Sequence, residues 1–86
     1  MNEERKRILQ RHKEDYLYKK VGLEIEMELL SQYQDGDAYA TTKELSGLLK
    51  KEIIKTVTVG QRRQWLKTQI VAIDRILTII DKLLNA

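Results

Sequence analysis

The sequence predicts an all-α fold, an elongated three-helix hairpin or bundle: a long helix over about 3–34, a short one over about 42–55 and a long one over about 59–85, paired with a second copy into a helical-bundle dimer. Three observations carry this expectation. The 86 residues contain no proline and only four glycines, whereas a sandwich or barrel of short strands needs a turn signal about every 8 to 12 residues. Leu66, Ile70, Ile73, Leu77, Ile80 and Leu84 recur at alternating spacings of four and three, which keeps them on one line of a helix. Two segments also open with helix-capping sequences.

In the N-terminal segment Leu9, Tyr16, Leu23 and Leu30 repeat every seven residues, with Ile8 and Met27 beside them. This predicts one helix ended by Asp35-Gly36, with Gly36 in the left-handed position that follows a helix. Val21, Leu23, Ile25, Met27 and Leu29 also alternate with Gly22, Glu24, Glu26 and Glu28, a strand-like period of two. Glu, Leu and Met are good helix formers and Glu is depleted in strands, so helix is the preferred reading, with Gly22 as its weak point.

For the middle element, Thr41-Thr42-Lys43-Glu44 has the form of a capping box, and Leu45, Leu48, Leu49, Ile53 and Ile54 follow at helical spacing. Four β-branched residues, Thr56 to Val59, then mark its end. For the last helix, Thr58 and Gln61 form a second capping box. A second apolar line, Trp65, Ala72, Ile76, Ile79 and Leu83, runs beside the first. Together the two lines cover about half the circumference at roughly 100° per residue, more than one antiparallel neighbour buries. The line Leu66, Ile70, Ile73, Leu77, Ile80, Leu84 is therefore the expected self-association surface of a homodimer or higher oligomer, since closed twofold dimers are the commonest oligomers.

Composition narrows the classes further. Without cysteine there is neither a disulfide framework nor a thiol-ligated metal site. No apolar run approaches the roughly 20 residues of a membrane span, and no apolar segment follows the charged N-terminus, so a single cytoplasmic domain over 1–86 with no membrane partner is expected. Net charge is +3, but its distribution says more. Residues 1–20 carry seven Lys/Arg against four acids, 21–44 one against six, 45–67 six against one, and 68–86 are balanced. Alternating segments of this kind fit acidic and basic stretches lying side by side, within the fold or across a dimer.

No catalytic, cofactor-binding or metal-binding residues can be assembled, and none is expected. His12, the only histidine, lies among Arg11 and Lys13 and reads as a solvated surface residue. Ser31 and Ser46 have no base at a recognisable spacing. Asp35-Gly36-Asp37 lacks the remaining oxygen ligands of a calcium loop and reads as a turn. The strongest candidate for a polyanion is a basic corner: Lys50, Lys51 and Lys55 closing the middle helix and Arg62, Arg63 and Lys67 opening the last. A helix N-terminus supplies amide donors there, and Trp65 a stacking face.

The run Tyr39-Ala40-Thr41-Thr42-Lys43-Glu44-Leu45-Ser46-Gly47-Leu48-Leu49 resembles the first helix of helix-turn-helix regulators of the excisionase type. That resemblance implies a recognition helix within a few residues. Here Lys50 to Val59 intervene, and the last helix is longer and more apolar than a groove-reading helix. The functional expectation is therefore a small non-enzymatic helical adaptor, inhibitor or regulator working through protein–protein contacts and self-association. The alternative is a nucleic-acid-binding regulator using the Lys50 to Lys67 corner.

Overall fold

The computed structural model describes residues 2–46 and 51–86, with only the backbone described for 42–46 and 51–54. Its elements are α1 (Glu3–Leu30), β1 (Ala38–Ser46), β2 (Lys51–Thr58) and α2 (Val59–Leu84). The protein is mostly helical, but it is not a three-helix bundle. The expected middle helix is an antiparallel two-stranded ribbon, order β1-β2.

The ends of α1 follow local chemistry. Asn2 caps it, its side chain accepting from the Arg5 amide at 2.8 Å, and Glu3 and Glu4 occupy the first turn, where carboxylates complement the helix dipole. The helix continues through Gly22 and the alternating segment 21–30, so the strand-like pattern there is not expressed. It stops at Leu30, four residues short of the expected end. Ser31 in the αR conformation is the C-cap, with both its amide (3.1 Å) and its hydroxyl (2.6 Å) turned back onto the Glu28 carbonyl. Gly36, expected as the left-handed cap, lies beyond the helix in a turn and is not left-handed.

The ribbon overturns the helix over 42–55. Thr41 pairs with Thr56, Glu44 with Ile53 and Ser46 with Lys51, so the Thr41/Glu44 capping box is not used. Leu45, Ile53 and Ile54 occupy strand positions, while Leu48, Leu49 and Lys50 lie outside the described residues. Physically, Tyr39, Thr41, Thr42, Ile53, Ile54, Thr56, Val57 and Thr58 are aromatic or β-branched, types that favour a pleated backbone. A capping box gains a helix about 1 kcal/mol at its start, too little to outweigh the cross-strand pairs of a whole ribbon. The register slips between Ala38 and Ala40, a bulge at Tyr39 that re-aims this side chain.

The helix predicted over about 59–85 is α2, with Thr58 and Gln61 forming the reciprocal capping box at 3.2 and 3.0 Å. Its first amides have further partners: Val59 N–H donates to Asp37 O at 2.8 Å and Gly60 N–H to Asp35 O at 3.0 Å. These bonds hold the turn after α1 against the start of α2. Gly60 permits that approach, because a Cβ there would lie 3.0 Å from the Asp35 Cβ and 3.2 Å from its carbonyl oxygen.

Helices α1 and α2 run antiparallel as a pair. Ion pairs Lys13–Asp81 (2.8 Å), Lys20–Asp74 (2.7 Å) and Glu26–Arg62 (2.6 Å) step along it with opposite chain sense. The best-buried cluster is Leu30, Val59 and Leu66, with Leu23 and Met27 packed against it. Ile73, Leu77 and Ile80 continue the seam. In phase with Leu9, Tyr16, Leu23 and Leu30, the heptad on α1 places Lys13 and Lys20 in this seam. Their stems cover apolar surface while the ammonium groups reach the aspartates at its edge. The result is thin, with extents of 57 × 37 × 15 Å. The smallest is close to one helix diameter of about 10–12 Å.

Candidate functional site

The line expected to mediate self-association lies at the intrachain seam. Leu66 is completely buried, Ile73, Leu77 and Ile80 are buried, and Ile70 and Leu84 are partly so. What remains exposed is the second line on α2, with Trp65 at 45%, Ile79 at 56% and Leu83 at 41%. The far side of α1 is exposed as well, including Tyr18, Val21, Ile25 and Leu29. The apolar surface open to a partner is thus not the line that periodicity singles out.

The basic corner is also rearranged. Lys50 lies outside the described residues, and Lys51 is described only by its backbone at the far end of β2. Thr58 is seven positions along the strand from Lys51, about 23 Å at 3.3 Å per residue. Lys55 stands exposed midway along β2, opposite Thr42. Lys67 is exposed on α2. The ribbon therefore spreads these cations out instead of gathering them.

Arg62 and Arg63 are engaged inside the chain. Arg62 forms a two-pronged pair with Glu26, Nε to Oε2 at 2.6 Å and Nη2 to Oε1 at 2.9 Å, with each side chain about a quarter exposed. Its guanidinium lies 4.2 Å from the Trp65 ring centroid and 5.1 Å from that of Tyr39. The stacking face expected of Trp65 is thus occupied by Arg62, and the bulge at Tyr39 supplies the second ring. The hydrogen bonds from Arg62 hold the Glu26 carboxyl below its ordinary pKa, against the opposing effect of burial; Tyr39 adds to the lowering. The same pair raises Arg62 further. Along the seam, the hydrogen bond to Asp74 likewise raises Lys20.

Arg63 finishes α1 from outside it. Its guanidinium donates to the Leu30 and Tyr33 carbonyls and to the Asp35 carboxylate. The last turn of α1 contains no basic residue, so the cation that a helix C-terminus favours comes from the neighbouring helix. Replacing Arg63 with Ala is expected to cost about 2 kcal/mol through lost charge-assisted hydrogen bonds. Arg63→Lys recovers less than half of this, because an ammonium lacks the planar fork. Urea unfolding of the three proteins checks it, and a loss below about 0.5 kcal/mol rules out the capping role.

The other candidates remain isolated. His12 is exposed in a shallow depression with Asp15, Tyr16, Tyr18 and Lys19. Asp35-Gly36-Asp37 forms a turn in which the Asp37 carboxylate accepts from the Gln34 amide at 2.8 Å. Among the described residues no group of three or more His, Cys, Asp or Glu is placed to hold a metal ion, and no helix is long and apolar enough to cross a membrane. Comparison with known proteins found no matching family model, no similar curated protein and no similar solved structure.

Proposed function

We propose that the chain is a small non-enzymatic interaction protein that acts through protein–protein contacts and self-association. The observation that supports this reading is the single-layer helical pair, which leaves apolar residues on two outer faces. On α1 these are Tyr18, Val21, Ile25 and Leu29, 51 to 84% exposed, and on α2 they are Trp65, Ile79 and Leu83. Contiguous exposed apolar surface on a small protein marks an interaction site, and a chain of this size gains stability by covering it. Arg62 and Arg63, the two cations best placed for phosphate, serve instead to join α1 to α2.

Light scattering over a range of concentrations tests the reading. A mass at least twice that of one chain is expected at micromolar protein. A concentration-independent monomer with a folded helical spectrum overturns it.

A further inference from the structure

Two lines of unpaired charge run along the outside of the helical pair, one on each helix. At about 100° per residue, Gln10, Glu14, Leu17, Val21, Glu24 and Glu28 fall within one arc of about 80° on α1, turned away from Leu23. Gln64, Lys67, Val71, Arg75, Thr78 and Lys82 fill the matching arc on α2, turned away from Leu66. All of them are exposed, and the aliphatic members Leu17, Val21 and Val71 are 42 to 54% so. The first line holds three acids and no base, the second three bases and no acid.

The pairing of the helices sharpens this separation. Toward the seam, each line is bordered by charges of the opposite sign, Lys13 and Lys20 on α1 and Asp74 and Asp81 on α2. These four neutralise one another in the Lys13–Asp81 and Lys20–Asp74 ion pairs. Glu24 is close enough to act on Lys20, whose ion pair is nevertheless with Asp74. Among the described residues, none of the six charges on the two lines forms an ion pair. Each helix therefore presents charge of a single sign beside exposed aliphatic side chains.

The two lines also meet at one level. A copy set beside another in the same orientation brings its α2 antiparallel to the neighbour's α1, as within the chain. The Lys20–Asp74 pair marks the common level, so Val71 of one copy falls within two residues, about 3 Å at 1.5 Å each, of Val21 of the other. Around that contact Glu24 meets Lys67, Leu17 lies along the stem of Arg75, and Glu14 falls between Arg75 and Lys82. Setting α1 against α1, or α2 against α2, along these lines instead opposes charges of like sign.

We propose that copies of this chain dock head to tail, the basic line on α2 of one copy against the acidic line on α1 of the next. This rests on the self-association reading and assigns it a surface. Each contact leaves one line free on either copy, so the contact repeats, closing into a ring or extending as a row.

Charge exchange tests it. One variant reverses the α1 line (Glu14→Lys, Glu24→Lys, Glu28→Lys) and another the α2 line (Lys67→Glu, Arg75→Glu, Lys82→Glu). Each alone is expected to associate about 100-fold or more weakly than the parent, with its helical spectrum retained. Mixed in equal amounts they should recover the parent's mass, because each reversed line meets its complement on the other variant. The absence of cysteine allows the contact to be placed as well. Val21→Cys and Val71→Cys chains, mixed and treated with a short thiol-to-thiol cross-linker, should give links between positions 21 and 71, with little linkage in either variant alone. Reversed variants that keep the parent's mass, a mixture that stays monomeric, or links of 21 to 21 and 71 to 71 in place of 21 to 71 overturn the assignment while leaving self-association in place. A monomeric parent chain overturns both.

Discussion

Leu66→Ala is expected to lower the unfolding free energy by about 3–4 kcal/mol, as deletion of a large aliphatic side chain from a closed site does. Among the described residues Leu66 is the one large side chain with no exposed surface, and it sits among Leu23, Met27, Leu30 and Val59, residues of both helices and their junction. A chain of this length has on the order of 5–10 kcal/mol of stability in total, so the loss removes much of it. Urea unfolding at fixed protein concentration measures the effect, with Ile79→Ala, an exposed site on the same helix, as the comparison. A loss below about 1 kcal/mol for Leu66→Ala contradicts this description of the core.

Arg62→Ala should cost about 2–3 kcal/mol. It removes a two-pronged carboxylate pair and a guanidinium stacked near two aromatic rings, in partly exposed surroundings. A double-mutant cycle with Glu26→Gln should return a coupling of about 1 kcal/mol or more. The pair also has a pH signature. Folding lowers the Glu26 pKa, so its contribution is fully present above the unfolded value of about 4.3. It is lost as pH falls through the lower folded value. Stability should therefore fall below about pH 4.3 in the parent protein and less steeply in Glu26→Gln. Equal slopes in the two proteins refute the assignment.

Much of the helical framework is legible in the sequence because it is written locally. Thr58 and Gln61 lie three residues apart and cap the helix they announce, and the heptad from Leu66 to Leu84 marks a side of α2 with well-buried members. What that heptad does not specify is the origin of the covering surface. Lys13 and Lys20 look like solvent residues until their stems are seen as part of the seam, and this allows α1 of the same chain to cover the line.

The middle of the chain misleads for a similar reason. Thr41 and Glu44 satisfy a capping pattern that costs the chain little to ignore, whereas the pairing of Thr41 with Thr56 spans fifteen residues and leaves no local trace. The rearrangement of the basic corner follows from that single misreading, since a strand carries Lys51 away from the start of α2 while a helix would have kept it nearer. Arg63 shows the limit most clearly. Its carbonyl partners at Leu30 and Tyr33 are about thirty positions away, and the one available hint is the missing cation in the last turn of α1.

The bonds from Val59 to Asp37 and from Gly60 to Asp35 bring together the two points at which the ribbon leaves and rejoins the helical pair. For the helices, the twenty-one residues from Ala38 to Thr58 act like a very short connection, because both ends of the detour are fastened at one place. Loop length enters the closure cost only logarithmically, and antiparallel strands can gain or lose pairs at the tip without moving their base. Ribbon length is therefore a variable the molecule can change without altering the geometry of α1 on α2. Homologous chains with longer or shorter ribbons on an unchanged helical pair are the natural outcome.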